Sequence, residues 1–153
     1  MNSLQKVTGL TMAARAMFIF AVLACVSCSA MGPPKTLTED DKADLLKRVT
    51  ERWHFVVKKD FASTYNYTTP KYREVFSKAL YVNKFSYGVD LRLTGIEVLN
   101  YDARAAVASV AVGVMSRPAK QTSVASNALG ALPLTINEKW IFVDGQWWHS
   151  AKD

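Results

Sequence analysis

The repeat of apolar residues changes once along this chain of 153 residues, near Phe85, and that change limits the fold more than any other feature. Before Phe85, apolar residues recur every three or four positions, which is typical of helices with one buried face. After Phe85 they alternate with polar residues, as in strands that bury one face. Helices followed by strands favour an α+β fold with a mainly antiparallel sheet.

The first predicted helix begins after Thr38 and extends to about Lys59. Thr38 and Asp41 have the spacing of a capping box, and acidic residues occupy the first turn. We expect the charged residues of this segment, including Arg52, to lie mostly on the solvent face. The apolar residues at helical spacing, which we expect to be buried, are Leu45, Leu46, Val49, Trp53, Val56 and Val57.

Two shorter helical segments are predicted to follow. Residues 61–65 continue as a short turn of helix. Thr69 then caps a helix with Pro70 at its first position, where the missing N–H of proline leaves no hydrogen bond unmade. The residues that we expect this segment to direct into the core are Tyr72, Val75, Phe76 and Leu80.

At least four strands are predicted in the second half of the chain. In the first, Leu91 and Leu93 share one face until Gly95, where the phase flips. A glycine at such a flip indicates a β-bulge, which bends a sheet. The sheet is therefore predicted to curve around the long first helix and to leave a conical cavity. The residues that follow on the inner face are Ile96, Val98 and Asn100.

The remaining strands are separated by one loop and one tight turn. The second strand lies within Ala105 to Met115, and residues 117–131 form a loop. Asp144-Gly145 is the central pair of a hairpin, after which residues 146–150 pair back as the last strand. One face of the third strand is apolar apart from a single carboxylate, and it consists of Leu134, Ile136, Glu138, Trp140 and Phe142.

Residues 1–30 have the features of an export signal. Lys6 and Arg15 are the only charged residues, and an uncharged apolar run follows from Ala16 to Ala24. A basic leader, a short apolar stretch and small residues are typical of secretory signals. The 15 residues from Ala16 to Ala30 are fewer than the roughly 20 that a membrane-spanning helix needs.

Both cysteines, Cys25 and Cys28, lie in this segment, so no disulfide is predicted in the folded part. The stretch Val22-Leu-Ala-Cys25 resembles the lipobox of bacterial lipoproteins, in which an aliphatic and a small residue precede a cysteine that is lipidated and becomes the new N-terminus. The resemblance implies lipidation of Cys25, with Cys28 as the alternative. A soluble periplasmic or secreted product cut after Ala30 is the other interpretation. In each case we expect export to the bacterial cell envelope.

The chain is thus predicted to comprise a signal (1–30), a proline-containing tether (31–37) and one folded domain (38–153). Without the signal, 17 basic and 13 acidic residues remain, a net charge of +4. These charges are scattered rather than gathered in a basic stripe with aromatic residues, which argues against a nucleic-acid partner.

Two segments resemble the nuclear transport factor 2-like superfamily, which has a cystatin-like cone fold. Residues 59–73 (KDFASTYNYTTPKYR) are similar to exported bacterial members, in which an acidic residue ends the first helix, a Tyr-x-Tyr follows, and Ser/Thr-Pro-x-Tyr-Arg opens the next helix. Residues 138–148 (EKWIFVDGQWW) look like the closing hairpin. The resemblance covers about residues 38–151 and implies an α+β cone that is often dimeric through its sheet. It implies no single function, since isomerases, dehydratases, hydrolases and non-catalytic modules share the fold.

Glu138 is the candidate catalytic residue, because an enzyme on such a cone needs an acid or base in the cavity, beside a group that stabilises charge. Burial disfavours the charged form of a carboxyl group, which suits a general base. The alternative is a structural carboxylate that pairs with Arg73 or Arg92. Tyrosine hydroxyls at the pocket mouth would donate to a ligand, unless the tyrosines pack in the core instead. The residues of this candidate pocket are Tyr65, Tyr67, Tyr72, Arg73, Glu138 and Trp140.

Trp147 and Trp148 are expected on opposite faces of the last strand, one in the core and one exposed as a dimer or partner contact. His54 and His149 are far apart in sequence, and no cluster of other metal-binding residues accompanies them, so no metal site and no cofactor are predicted.

These observations support two hypotheses about function. The first is a non-catalytic envelope lipoprotein that binds a partner protein, such as a component of an envelope machine, or an apolar small ligand. Its predicted contacts are the membrane through the N-terminal lipid, a second copy through the sheet, and an envelope protein. The alternative is a small isomerase, dehydratase or hydrolase that uses Glu138 and a tyrosine.

Overall fold

The structure is a computed structural model that describes residues 36–120, 123–124, 128 and 130–151. The predicted export signal, both cysteines and most of the tether lie outside the described residues. All described residues belong to one unit, Pro34–Asp153. None of the helices among them is both long and apolar enough to cross a membrane.

The longest helix, α1, spans Glu39–Val57 and begins where the sequence predicts. Asp41 N donates to Thr38 Oγ1 at 3.1 Å, and Thr38 N donates to the Asp41 carboxylate at 3.2 Å, which completes the capping box. The prediction for Arg52 is wrong, because this residue is only 4% exposed. Its position falls in the stripe 45, 49, 52, 56, whose spacing of four, three and four faces the sheet. The apolar residues that α1 buries are Leu45, Val49, Trp53 and Val56.

Four short helical segments follow: α2 (Phe61–Thr64), a 3₁₀ turn (Tyr65–Tyr67), α3 (Pro70–Val75) and α4 (Lys78–Val82). Thr69 caps α3 as predicted, because its hydroxyl accepts a hydrogen bond from Tyr72 N at 3.1 Å.

The prediction that the helix after Pro70 carries Val75 and Leu80 inward is wrong. The chain leaves α3 at Phe76, whose backbone is extended, and Ser77 caps α4 by accepting from Leu80 N at 3.3 Å. This break changes the helical phase, so that Val75 is 68% and Leu80 56% exposed while Tyr81 becomes buried.

Four antiparallel strands in the order β1-β2-β3-β4 form the sheet of the described residues. They span Val89–Asp102, Val107–Pro118, Leu132–Val143 and Gln146–His149. Asp144 and Gly145, with φ of 52° and 78°, form the tight turn between β3 and β4. The predicted α+β class with an antiparallel sheet is confirmed.

Strand β1 contains two irregularities rather than one. The first lies between Leu93 and Gly95, where the sequence predicts a bulge. The second lies between Val98 and Asn100 and reverses the phase again. The prediction for Asn100 is therefore wrong: it is exposed, and Tyr101 takes the inner position instead.

The main core lies between α1 and the inner face of the sheet. Strands β2 and β3 supply its centre, because their alternate residues face α1 in register, with Val110 opposite Glu138 and Val112 opposite Ile136. The buried sheet residues of this core are Ala108, Val110, Val112, Val114, Trp140 and Trp147.

Candidate functional site

A cavity of about 960 Å³ lies beside this core, between α1 and the inner face of the sheet. Its lining comes from α1, α2, α4 and all four strands, so it depends on the packing of the whole domain. Leu134 also lines it and is 49% exposed. Most of the large lining side chains are apolar, namely Trp53, Val56, Phe61, Phe85, Leu91 and Ile136.

Glu138 contributes a carboxylate to the lining and is itself 7% exposed. Its Oε1 accepts from Arg52 Nη1 at 2.6 Å and from Trp53 Nε1 at 3.1 Å. Its Oε2 accepts from Trp140 Nε1 at 3.0 Å. The partner is therefore Arg52 of α1, rather than Arg73 or Arg92. We call Arg52, Trp53, Glu138 and Trp140 the buried cluster.

These three donors limit what Glu138 can do chemically. A carboxylate offers about four lone-pair positions, and hydrogen bonds from a guanidinium and two indoles occupy three of them. The ion pair also cancels the charge of Glu138 locally. The arrangement therefore favours a structural role, in which Glu138 joins α1 to β3, over a general base. In the described part of the chain, no group of three His, Cys, Asp or Glu side chains is placed to hold a metal ion.

His149 lies next to the buried cluster and also lines the cavity. Its Nε2 is 3.8 Å from Glu138 Oε1, which is too long for a hydrogen bond. Burial lowers the pKa of His149 well below 6.5, and the charge of Arg52 lowers it further. The imidazole is therefore neutral at pH 7. Among the described residues, neither its Nδ1 nor Nε of Arg52 has a hydrogen-bond partner.

Two of the predicted pocket tyrosines, Tyr65 and Tyr72, do not line this cavity. They form a second aromatic cluster with Tyr81. The Tyr65 hydroxyl donates to Phe76 O at 2.6 Å, so it is used within the fold. Tyr81, which the sequence analysis did not select, is the tyrosine that lines the cavity, and its hydroxyl is 3.0 Å from Thr64 Oγ1.

Tyr67, Arg73 and Trp148 belong to a different place, near a smaller cavity of about 310 Å³. The guanidinium of Arg48 lies 5.0 Å from the Tyr67 ring centre and 5.2 Å from that of Trp148. Arg73 lies 4.9 Å from the Trp148 ring centre. Trp148 is thus half-buried between two arginines, a contact that cation–π attraction favours. Trp147 is the core residue of the pair, at 1% exposure.

The residues that the sequence analysis missed have recognisable signals. Arg52 occupies an inward position of α1, and a charge there predicts a buried partner. His149 alternates with Trp147 along β4, so both side chains face inward. No comparable signal identifies Tyr81, because its burial depends on the break between α3 and α4.

Comparison with known proteins adds little to this site. No family model matches the chain, and no curated protein matches it. Among solved structures, it is similar to the solution structure of a SEC-C motif containing protein from Rhodopseudomonas palustris, with a TM-score of 0.38 and 17% sequence identity. That match covers 78% of this chain and 92% of the other. Neither a family nor a function follows from similarity at this level.

Proposed function

We propose that the chain is an exported, lipid-anchored envelope protein whose folded domain binds an apolar small ligand without converting it. The observation that carries the proposal is the apolar cavity of about 960 Å³. Cavities of about 300–1,000 Å³ with apolar walls and a few polar groups are typical of small-molecule sites. Here the polar groups of the lining include Arg52, Glu138 and His149, which lie close together.

We also propose that this domain is a nuclear transport factor 2-like cone. Support comes from the long first helix packed on the sheet, the bulge at Gly95 and the closing hairpin at Asp144 and Gly145. The helix and the hairpin are features that the resemblance implies, and the bulge bends the sheet as a cone requires. A cone closed by helices at one side also accounts for a cavity on the inner face of the sheet.

A binding role agrees better with the site than catalysis by Glu138. To act as a base, the carboxylate would have to give up a hydrogen bond from Arg52, Trp53 or Trp140. Each of these donors is buried, and a buried donor left unpaired costs about 1–3 kcal/mol. The tyrosine that lines the cavity, Tyr81, is likewise engaged with Thr64.

The binding proposal is tested with the full-length protein in a mild non-ionic detergent, with dodecanol as a neutral apolar probe. Native mass spectrometry then counts bound probe molecules. Leu134→Trp narrows the cavity at a half-exposed position and should reduce binding. Leu99→Trp is the matched control, because Leu99 is 51% exposed and does not line the cavity. Absence of dodecanol binding, or equal loss in both variants, would overturn the proposal.

The anchor is tested on protein extracted from a bacterial envelope. We expect its mass to include acyl chains, which Cys25→Ser should remove and Cys28→Ser should leave in place. Loss on Cys28→Ser alone would assign the lipid to Cys28. An unmodified mature protein that begins after Ala30 would show that the chain is exported without an anchor.

A further inference from the structure

Exposed apolar residues lie at the end of the sheet where β1 and β3 begin and β2 ends. Leu132 is paired with Ser116, which is paired in turn with Leu91, so the three form a row across the sheet. Leu134 and Val89 are each two positions from this row along their strands, on the same face. Val89, Leu132 and Leu134 are exposed, although apolar residues on this face are buried elsewhere in the sheet.

Tyr87, just before β1, extends this exposed surface. It is exposed, and its ring centre lies 5.1 Å from that of Phe61, which lines the cavity. Val89 and Leu134 also line the cavity, so the exposed surface continues into the cavity wall. We call Tyr87, Val89, Leu132 and Leu134 the apolar mouth. Exposed apolar residues gathered in one place mark a binding surface more often than single ones do.

Beside the apolar mouth, two basic residues share one carboxylate. Asp90 Oδ1 accepts from Lys59 Nζ at 2.8 Å, and Asp90 Oδ2 lies 3.5 Å from Arg117 Nε. Lys59 Nζ also donates to Tyr87 O at 2.9 Å, which places this group at the mouth. One carboxylate balances only one of the two cations.

Lys120 adds a further positive charge at this end of the sheet. Ala119 N donates to Gly88 O at 2.9 Å, which holds the chain just before Lys120 against the start of β1. Residues 117–134 contain no acidic residue. The charged residues of segments 87–90 and 117–134, counted with Lys59, therefore sum to +2.

An apolar surface flanked by basic residues is suited to a lipid bilayer with anionic head groups. Apolar side chains enter the boundary of the hydrocarbon region, and basic side chains meet the lipid phosphates. A tyrosine such as Tyr87 suits this boundary because its ring is apolar and its hydroxyl is polar. A bilayer is also where apolar small molecules accumulate, next to which the cavity would open.

We propose that the apolar mouth docks on an anionic lipid bilayer and that the cavity takes up its apolar ligand directly from that bilayer. This contact is separate from the N-terminal anchor. The docking surface is argued from exposed residues and charges alone, whereas ligand uptake through it rests on the proposed function.

The test places an environment-sensitive NBD fluorophore at the mouth of the full-length protein. Leu132→Cys, in a Cys25→Ser/Cys28→Ser background, gives one labelling site that does not line the cavity. Vesicles of phosphatidylcholine with phosphatidylglycerol should shift its emission to the blue and increase it. Leu99→Cys in the same background is the matched control, because Leu99 is exposed on β1 and lies outside the mouth. Membrane binding by residues 1–30 is common to both proteins.

A pair of charge variants tests the electrostatic part. Arg117→Gln/Lys120→Gln should lower the ratio of docked to undocked protein by up to about 30-fold, at about 1 kcal/mol for each basic residue near an anionic surface. Lys47→Gln/Lys71→Gln gives the same change in net charge at exposed positions outside the mouth and should leave the ratio unchanged.

Each other outcome overturns a definite part of the inference. A label at position 132 that keeps its aqueous emission with vesicles, or an equal shift at position 99, would overturn bilayer docking. A shift without vesicles that grows with protein concentration would show that a second copy covers the mouth, and would also overturn it. Dodecanol binding tests the proposed function separately, so its absence beside a clear shift would overturn ligand uptake and leave the docking surface standing.

Discussion

The substitution Arg52→Met tests whether the buried cluster holds α1 against β3. Arg52 is 4% and Glu138 7% exposed, and Nη1 and Oε1 lie 2.6 Å apart. The substitution leaves the carboxylate buried, with two indole donors but without its countercharge. Removal of one partner of a buried ion pair costs about 3–5 kcal/mol in the free energy of unfolding. That is a large share of the roughly 5–15 kcal/mol by which a domain is stable.

The double variant Arg52→Met/Glu138→Gln separates a coupled pair from two independent contacts. Glu138→Gln alone should also cost about 3–5 kcal/mol, because it leaves the guanidinium buried and unpaired. With both substitutions no buried charge remains, and the glutamine oxygen still accepts from one indole. The N–H of the other indole then faces the amide NH₂ and has no acceptor. The free energy of unfolding should therefore fall by about 1–3 kcal/mol, which is less than for either single variant.

Urea unfolding of the full-length protein, followed by tryptophan fluorescence, measures these changes, since Trp53 and Trp140 lie in the cluster. Arg92→Met is the control, because Arg92 is exposed on β1 and should change the free energy of unfolding by no more than about 0.5 kcal/mol. If the double variant lost as much stability as the two single variants together, the reasoning would be refuted.

Two further predictions concern local features. His149 should make the folded state less stable in acid: its pKa in the folded protein is well below 6.5, so the unfolded state takes up the proton first. The contribution of neutral His149 to the free energy of unfolding is then fully present above about pH 6.5. Below that pH it falls by at most about 1.4 kcal/mol per pH unit until the folded-state pKa is reached. Urea unfolding at a series of pH values measures this dependence of the free energy of unfolding on pH. His149→Gln should flatten it, whereas substitution of the exposed residue, His54→Gln, should not. An unchanged pH dependence in His149→Gln would assign the effect to another group. Gly145→Ala places a side chain at φ of +78° and should lower the free energy of unfolding by about 1–2 kcal/mol. Gly130→Ala is the control, because Gly130 has an ordinary φ and open space around it, and it should change stability little. Thermal unfolding compares the two variants, and equal melting temperatures would contradict this explanation.

Part of the fold could be predicted because short stretches of chain decide it. The capping box joins Thr38 to a residue three positions away, and the hairpin depends on the adjacent pair Asp144 and Gly145. The bulge at Gly95 shows as a change of phase within a few residues. The break after α3 was missed, although Ser77 is a good cap, because the apolar residues on both sides of it also fit one continuous helix.

The candidate site was predicted less completely than the fold. Glu138 is conspicuous because it interrupts an apolar strand face, and this much is visible in the sequence. The family resemblance predicts that Tyr65, Tyr67 and Tyr72 lie at the mouth of the same pocket. In the structure, Tyr65 and Tyr72 pack around Tyr81, and Tyr67 lies near Trp148, so none of the three lines the cavity.

By itself, the sequence determined the class of fold and the inward position of Glu138, because the repeat of apolar residues sets which face of each helix and strand leaves water. The lipobox-like segment likewise predicts export from the sequence alone. Only the tertiary structure decided what Glu138 meets. Its partner Arg52 is 86 residues away in the chain, and the choice among several arginines depended on the packing of α1 against β3. A buried charge needs a partner, and the fold decides which residue supplies it. The pairing of Glu138 with Arg52, and the cancellation of their charges in the cavity lining, are therefore properties of the packing.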